Sequence, residues 1–184
     1  DIPFYKVDCT DLNEMKSIFE THKDIYACIH FAAYKSVDES LENPKKYYEN
    51  NIGSTKVLLK CIEENKFKNL IFSSSCTVYG NPDTLPVNEK AHFKKAESPY
   101  GETKQECEIL ISKNSCNSVS LRYFNPIGSH DSGFVGDCSK DKANNLVPIV
   151  TEVACGVRDK LIVNGNDYNT HDGTCIRDYI HVQD

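Results

Sequence analysis

The chain has 184 residues, 39% of them hydrophobic and 26% charged, with a net charge of -6. This is enough apolar material for one compact domain. It includes no run near the roughly 18 apolar residues of a membrane span and no basic stripe for nucleic acid. The opening DIPFYKVDCT has neither the basic flank nor the apolar core of a secretory signal, so the chain reads as cytoplasmic.

Taken in order, PFYKV at 3 to 7 reads as a strand, 11 to 22 as a helix capped by Thr10 or Asp11, and IYACIHF at 25 to 31 as a buried strand. Ile52, Val57, Leu58, Leu59 and Ile62 recur at helical spacing within 48 to 65, and NLIFSSS at 69 to 75 is the next strand. A helix over 99 to 112 leads into the strand SVSLRYF at 118 to 124. Such alternation predicts an α/β fold, a doubly wound parallel sheet with helices on both faces. After residue 130 the rhythm breaks into a polar connection, a helix near 146 to 156, a strand-like KLIVNG at 160 to 165 and a turn-rich end with one short strand. Two regions are therefore expected, the sheet domain over 1–130 and the start of a smaller lobe over 131–184.

Nine cysteines, an odd number with no C-x-x-C, make neither a zinc site nor a disulfide framework. Cys28, Cys61 and Cys107 fall in apolar periodic segments and read as small core hydrophobes. The six histidines lack metal-ligand spacing, so no metal is expected.

In such sheets the ligand lies beyond the carboxyl ends of the strands. Those ends read VDCT, HFAAYKSV, SSSCTVYG and RYFNPIG, and each trades aliphatics for small or hydrogen-bonding residues. Four such ends in register suggest a lined cleft. No glycine spacing gives the phosphate-binding turn G-x-G-x-x-G, and the chain begins without Met. The expected explanation is an internal piece of a longer protein.

SPYGETK at 98 to 104 carries the chemistry. Ser98 suits an N-cap and Pro99 the first helical position. Gly101 costs roughly 1 kcal/mol against Ala inside a helix, so something is expected to approach the helix there, a bound cofactor being the candidate. Tyr100 and Lys104 project from one face, one turn apart. Bringing a phenol from ~10 to near 7 takes about 4 kcal/mol, more than one exposed cation supplies. A sheltered site and a second positive charge are required. Chance alone places about one Y-x-x-x-K in such a chain, and only this one occurs.

SPYGETK, with SSSCTVYG, HFAAYKSV and YYENNIGST, resembles the extended short-chain dehydrogenase/reductase superfamily. RYFNPIGSH and GNDYNTHDGTCIRDYIHV are similar to the UDP-glucose 4-epimerase family, and the resemblance runs over essentially the whole chain. It implies a Rossmann-like fold lacking its N-terminal βαβ unit, binding NAD in 1–130 and a UDP-sugar in 131–184. It further implies that Tyr100 takes the proton from the sugar 4-hydroxyl while NAD accepts the C4 hydride. Lys104 would bind the cofactor ribose and lower the Tyr100 pKa, and Ser75 would hydrogen-bond the 4-oxygen. Asp8, Cys9, Phe31, Ala32, Ala33, Lys35, Asn50, Ser73 and Phe124 would contact the cofactor along with Tyr100 and Lys104. Tyr123, Asn125, Asn145, Leu146, Asn164 and Arg177 would join Ser75 and Tyr100 on the UDP-glucose or UDP-galactose side. Family members commonly dimerise through two helices of each subunit, which would be 48–65 and 99–112.

Some residues admit a second reading. Phe31 and Phe124 suit a core as well as a cofactor contact, spacing does not choose between Asn50 and Asn51, and Arg177 could simply pair with Asp178. The related 4,6-dehydratases place an Asp-Glu pair or a Glu where this chain has SCT at 75 to 77, and neither Cys76 nor Thr77 is a general acid at neutral pH. A non-catalytic piece is the alternative from another class. The isolated 184 residues are expected to be poorly soluble or inactive, because an open sheet edge invites aggregation.

Overall fold

The computed structural model describes residues 2–65, 67–137 and 143–184, so Cys138 lies outside the described residues. The chain divides into two compact units, Asp1–Tyr123 and Phe124–Asp184.

In the first unit, β1 (Ala27–His30), β2 (Asn69–Ser75) and β3 (Asn117–Tyr123) form a parallel sheet in the order β1-β2-β3. Parallel neighbours need long crossovers. Here the crossovers contain α2 (Val37–Glu42), α3 (Pro44–Tyr47), α4 (Gly53–Asn65) and α5 (Pro99–Ser112), while α1 (Leu12–Thr21) precedes β1. Asp11 caps α1 by accepting from the amides of Asn13 and Glu14. Between α3 and α4 the helix continues through a π-helical turn at Tyr48–Ile52, a widening that often marks functional sites.

The core forms where α1, α4 and α5 cover one face of the sheet, with Phe19, Leu58, Ile62, Cys107 and Ile111 meeting Leu70 and Phe72. Cys61 and Cys107 are buried there and Cys28 packs against them. Ile29, Val119 and Leu121 stay exposed. Residues 3 to 7 do not form the expected strand, and Phe4 is exposed. A strand exists only as part of a ladder, and among the described residues none pairs with this segment.

In the second unit, β4 (Asn125–Ile127) pairs in parallel with β5 (Tyr179–His181), and α6 (Leu146–Ala154) lies between them in the chain. Gly128 ends β4 at φ 88°, where a Cβ would sit 2.1 Å from His181 Nε2. Only a glycine tolerates both the backbone and the imidazole there. The strand expected over 160 to 165 is absent: Leu161, Ile162 and Val163 are exposed and unpaired among the described residues. Apolar β-branched residues gave it a strand's composition, but composition supplies no hydrogen-bonding neighbour.

Candidate active site

The carboxyl end of β2 and the first turn of α5 bring three expected residues together. Ser98 Oγ accepts from the Gly101 amide at 3.1 Å and Pro99 opens the helix, which fixes Tyr100 in the first turn. Lys104 follows one turn later and is buried, 4% exposed, with Nζ donating to the Ser73 carbonyl at 2.7 Å. The ammonium also lies 4.8 Å from the Phe72 ring centre and 5.8 Å from that of Tyr100. Ser75 is buried at the end of β2 and interacts with Tyr100 through its side chain. The parallel register sets Ser75 beside Tyr123.

Burial is the first cause acting on each titratable group here. It drives the Lys104 ammonium down to about 8, opposed by the nearby Cys107 and Glu108. It raises the Tyr100 phenol above its ordinary value, and the hydrogen bond with Ser75 draws it partly back. The lowered phenol expected from Lys104 is therefore not what the protein alone provides. The ammonium is aimed at the Ser73 carbonyl, and desolvation of the phenolate outweighs it. Gly101 also departs from expectation. Its missing side chain faces protein, the Thr77 carbonyl at 3.3 Å and the Ala96 Cβ at 3.5 Å. The glycine lets the turn after β2 pack on α5.

A cavity of about 630 Å³ opens beside the β1 end, lined by Asp8, Cys9, Ala32, Ala33 and Asn50 among others. Lys6 and Tyr34 also line it, and sequence reasoning passed over both. The Asp8 carboxyl is held below its usual range by hydrogen bonds from the Thr10 amide and hydroxyl. Asn50 faces this cavity, whereas Asn51 is buried, accepting from the Tyr34 amide at 2.9 Å and donating to Thr103 Oγ1 at 3.2 Å. Phe31 is 64% exposed and Phe124 38%, so neither is a core residue. Lys35 is exposed outside the cavity lining.

In the second unit a smaller cavity of about 90 Å³ is lined by Phe124, Asn125, Asn145, Leu146 and Tyr179 among others. Asn125 Nδ2 donates to the Asp178 carbonyl at 2.8 Å. Asn164 and Arg177 are exposed and outside that lining. Arg177 donates to the Ile176 carbonyl, and no ion pair joins it to Asp178.

Three further features were not anticipated. Thr77 Oγ1, two residues beyond Ser75, is buried with no hydrogen-bond partner among the described residues, an exception to the pairing usual for buried polar groups. Glu108 receives a bidentate pair from Arg122 at 2.7 and 3.0 Å and a third bond from Ser74 Oγ, which braces the strand end carrying Ser75. Tyr100, Lys104 and Glu108 stand at four-residue spacing, so this continuation of the helical face was available in the sequence. His30 is buried against Thr55 Oγ1 at 3.2 Å, and burial, with the charge of Lys104, drives it to about 4, so it is neutral. Among the described residues no three His, Cys, Asp or Glu side chains cluster as a metal site, and no helix is long and apolar enough to cross a membrane.

Comparison with known proteins converges on one family. The sequence matches the NAD dependent epimerase/dehydratase family over residues 1–184. It is 46% identical to the UDP-glucose 4-epimerase of Drosophila melanogaster over 189 aligned residues, covering 100% of this chain and 53% of that one. A crystal structure of UDP-glucose 4-epimerase from Bifidobacterium longum in complex with NAD+ and UDP superimposes with a TM-score of 0.90 at 43% identity, covering 97% of this chain and 54% of that one. The Stenotrophomonas maltophila enzyme, with bound NAD and formylated UDP-arabinopyranose, gives 0.91 at 42% identity, covering 98% and 55%. The chain thus spans about half the length of the relatives it matches. With the Tyr100–Lys104–Ser75 constellation on a parallel α/β sheet and a family match along all 184 residues, the chain belongs to the NAD dependent epimerase/dehydratase family.

Proposed function

We propose that this chain carries the catalytic acid–base residues of an NAD-dependent UDP-glucose 4-epimerase, interconverting UDP-glucose and UDP-galactose by transient oxidation at sugar C4. The observation that carries the reading is the buried Lys104 one helical turn from Tyr100, its ammonium 5.8 Å from the Tyr100 ring centre and bonded to the Ser73 carbonyl, at the strand end that carries the buried Ser75. The residues fit the cofactor. The 630 Å³ cavity has the size of a small-molecule site, with Asp8, Cys9, Ala32, Ala33 and Asn50 on its wall to hold the adenosine end. Phe31, Lys35 and Ser73 extend that contact toward Tyr100 and Lys104.

NAD, when bound, supplies a reversible hydride acceptor and the positive charge that a buried phenol requires. Tyr100 takes the proton of the sugar 4-hydroxyl and later returns it. Ser75, buried at the end of β2, steadies the 4-oxygen and relays that proton. The Lys104 ammonium, charged at neutral pH, favours the phenolate and binds the ribose. Thr77 Oγ1, with no partner of its own, offers a hydrogen bond to the sugar. On the nucleotide side Tyr123, Asn125, Asn145, Leu146 and Asn164 contact the substrate with Phe124 near the cofactor, and Arg177 meets the diphosphate. Water elimination is disfavoured because Cys76 and Thr77 occupy the place where a dehydratase needs a general acid. The protein is cytoplasmic in this reading and pairs as a homodimer through 48–65 and 99–112; the exposed Ile109 on α5 supports that surface.

The test is turnover of UDP-galactose by the protein made at the length of its relatives and purified without added cofactor, wild type beside Tyr100→Phe. A loss of about 10³-fold in kcat is expected for the variant, with NAD released from the wild type on denaturation. Undiminished turnover in Tyr100→Phe, or a wild type that holds no NAD, would overturn the reading.

A further inference from the structure

Tyr47 takes no part in the mechanism above, yet it heads the side chains wholly withdrawn from solvent. It closes α3, one residue before the π-helical turn. Its ring stands edge-on to that of Tyr100, centroids 6.5 Å apart and planes at 86°. An aromatic edge directed at a neighbouring ring is a favourable and orienting contact. The Lys104 ammonium also lies over the Tyr100 ring, 5.8 Å from its centre.

The hydroxyl of Tyr47 is as tightly held as its ring. It donates to Glu39 Oε2 at 2.8 Å, while Lys46 Nζ binds the other carboxylate oxygen at 2.5 Å. Lys46 lies 4.0 Å from the centre of the Tyr34 ring, whose centroid is 5.7 Å from that of Tyr47. Turning Tyr47 would leave its own buried hydroxyl unpaired, which is opposed.

We propose that Tyr47, anchored by Glu39, is a positioning residue that holds the Tyr100 ring in its orientation beside the Lys104 ammonium. The proposal deepens the function given above and rests on Tyr100 being the base. Two phenols with their rings in contact are thereby given different work. Burial and the Glu39 carboxylate push the Tyr47 phenol well above its ordinary range, so it remains a neutral donor and does not compete with Tyr100 for the substrate proton. The perpendicular ring contact is equally available to a phenylalanine. The orienting effect therefore resides in the ring, and the hydroxyl serves to hold that ring in place.

The experiment compares wild type, Tyr47→Phe and Tyr47→Leu, with Tyr100→Phe used to assign the Tyr100 signals. Ring rotation of Tyr100 is followed by carbon-13 relaxation in tyrosine-labelled protein, and kcat and KM for UDP-galactose are measured on the same variants. Expected in Tyr47→Leu are faster Tyr100 ring rotation and a kcat lower by about tenfold with KM within about twofold. Tyr47→Phe recovers most of both. If Tyr47→Leu does not fold, Tyr47→Met, of similar bulk without an aromatic edge, takes its place with the same expectation. Unchanged ring rotation and unchanged kcat in the non-aromatic variant would overturn the proposal, as would a Tyr47→Phe variant no better than Tyr47→Leu. Ring rotation that responds in a protein without epimerase turnover would uphold the positioning and overturn the proposed reaction instead.

Discussion

The two units of the molecule differ in how they hold their functional side chains. In Asp1–Tyr123 the candidate base sits on a helix whose other side is core, and Ser75, Lys104, Glu108, Asn51 and Thr103 are all buried. In Phe124–Asp184 only Ala143 is buried among the described residues, and a three-residue parallel ladder carries the order. Chemistry needs reacting groups held to a fraction of an ångström, so the proposed acid–base residues belong where packing is dense. Substitutions in the first unit should therefore disturb stability and turnover together, and those in the second should act locally.

The sharpest way to break that contrast is the Glu108–Arg122 pair, whose side chains are 9% and 18% exposed. Removing one partner strands the other charge, so Glu108→Leu and Arg122→Met should each lower stability by about 3 kcal/mol or more. The double variant should regain much of it. Urea denaturation of the three proteins decides this; single variants near the wild type would mean that the brace under Ser75 contributes little.

His30 tests the same unit through pH. Its folded value of about 4 lies below the ordinary 6.5, so the unfolded chain binds a proton that the folded one refuses. The stability associated with neutral His30 is complete above pH 6.5 and is lost as pH falls toward 4, in all about 3 kcal/mol. A His30→Asn variant, less stable at pH 7, should lose most of that slope between pH 6.5 and 4.5 in urea midpoints. A wild type flat over that interval would show that the imidazole is not buried as described.

How much was legible in advance follows from where the information lies. β2 and α5 were readable to the residue, because NLIFSSS is a buried apolar run and Ser98-Pro99 is a local start signal. Short helices α2 and α3 carry too few turns for periodicity, and the strands expected at 3 to 7 and 160 to 165 fail for want of neighbours. Within the candidate site, Tyr100 and Lys104 were visible from their spacing along the chain, and Ser75 from the family resemblance. Glu108 with Arg122, Asn51 with Thr103 and Tyr47 with Tyr100 are pairs between elements, 14, 52 and 53 residues apart. Sequence shows both members of such pairs and nothing of their meeting. Gly101 was noticed for the right reason, a helix glycine needs a cause, and given the wrong neighbour.

In the second unit the prediction is a confined loss. Gly128→Ala places a side chain on a backbone at φ 88° and within 2.1 Å of His181 Nε2, a strain of about 1–2 kcal/mol. With so little core behind it, the ladder should open without taking the first unit along. Amide exchange at Val182, which donates to Ile127 O, should then speed up by about tenfold while the β2 amides keep their wild-type rates. Acceleration at β2 would join the two units into one cooperative block and remove the contrast.

Gly101→Ala carries the smallest effect on stability and sharpens the contrast most finely. Replacing a helix glycine by alanine gains about 1 kcal/mol where nothing interferes. Here the new Cβ meets the Thr77 carbonyl at 3.3 Å and the Thr77 Cβ at 3.4 Å, so the turn after β2 must yield by a few tenths of an ångström. The gain and the strain oppose each other, and the net change in stability should stay within about 1 kcal/mol. Turnover should not stay level, because the turn that moves is the one joining Ser75 to Thr77, and Ser75 is the partner of the Tyr100 phenol. A kcat lower by about tenfold with an unchanged melting temperature is the expected pair of results. If instead cofactor affinity falls while kcat holds at saturating cofactor, the space beside Gly101 serves the cofactor after all, and the packing described here is not what the glycine is for.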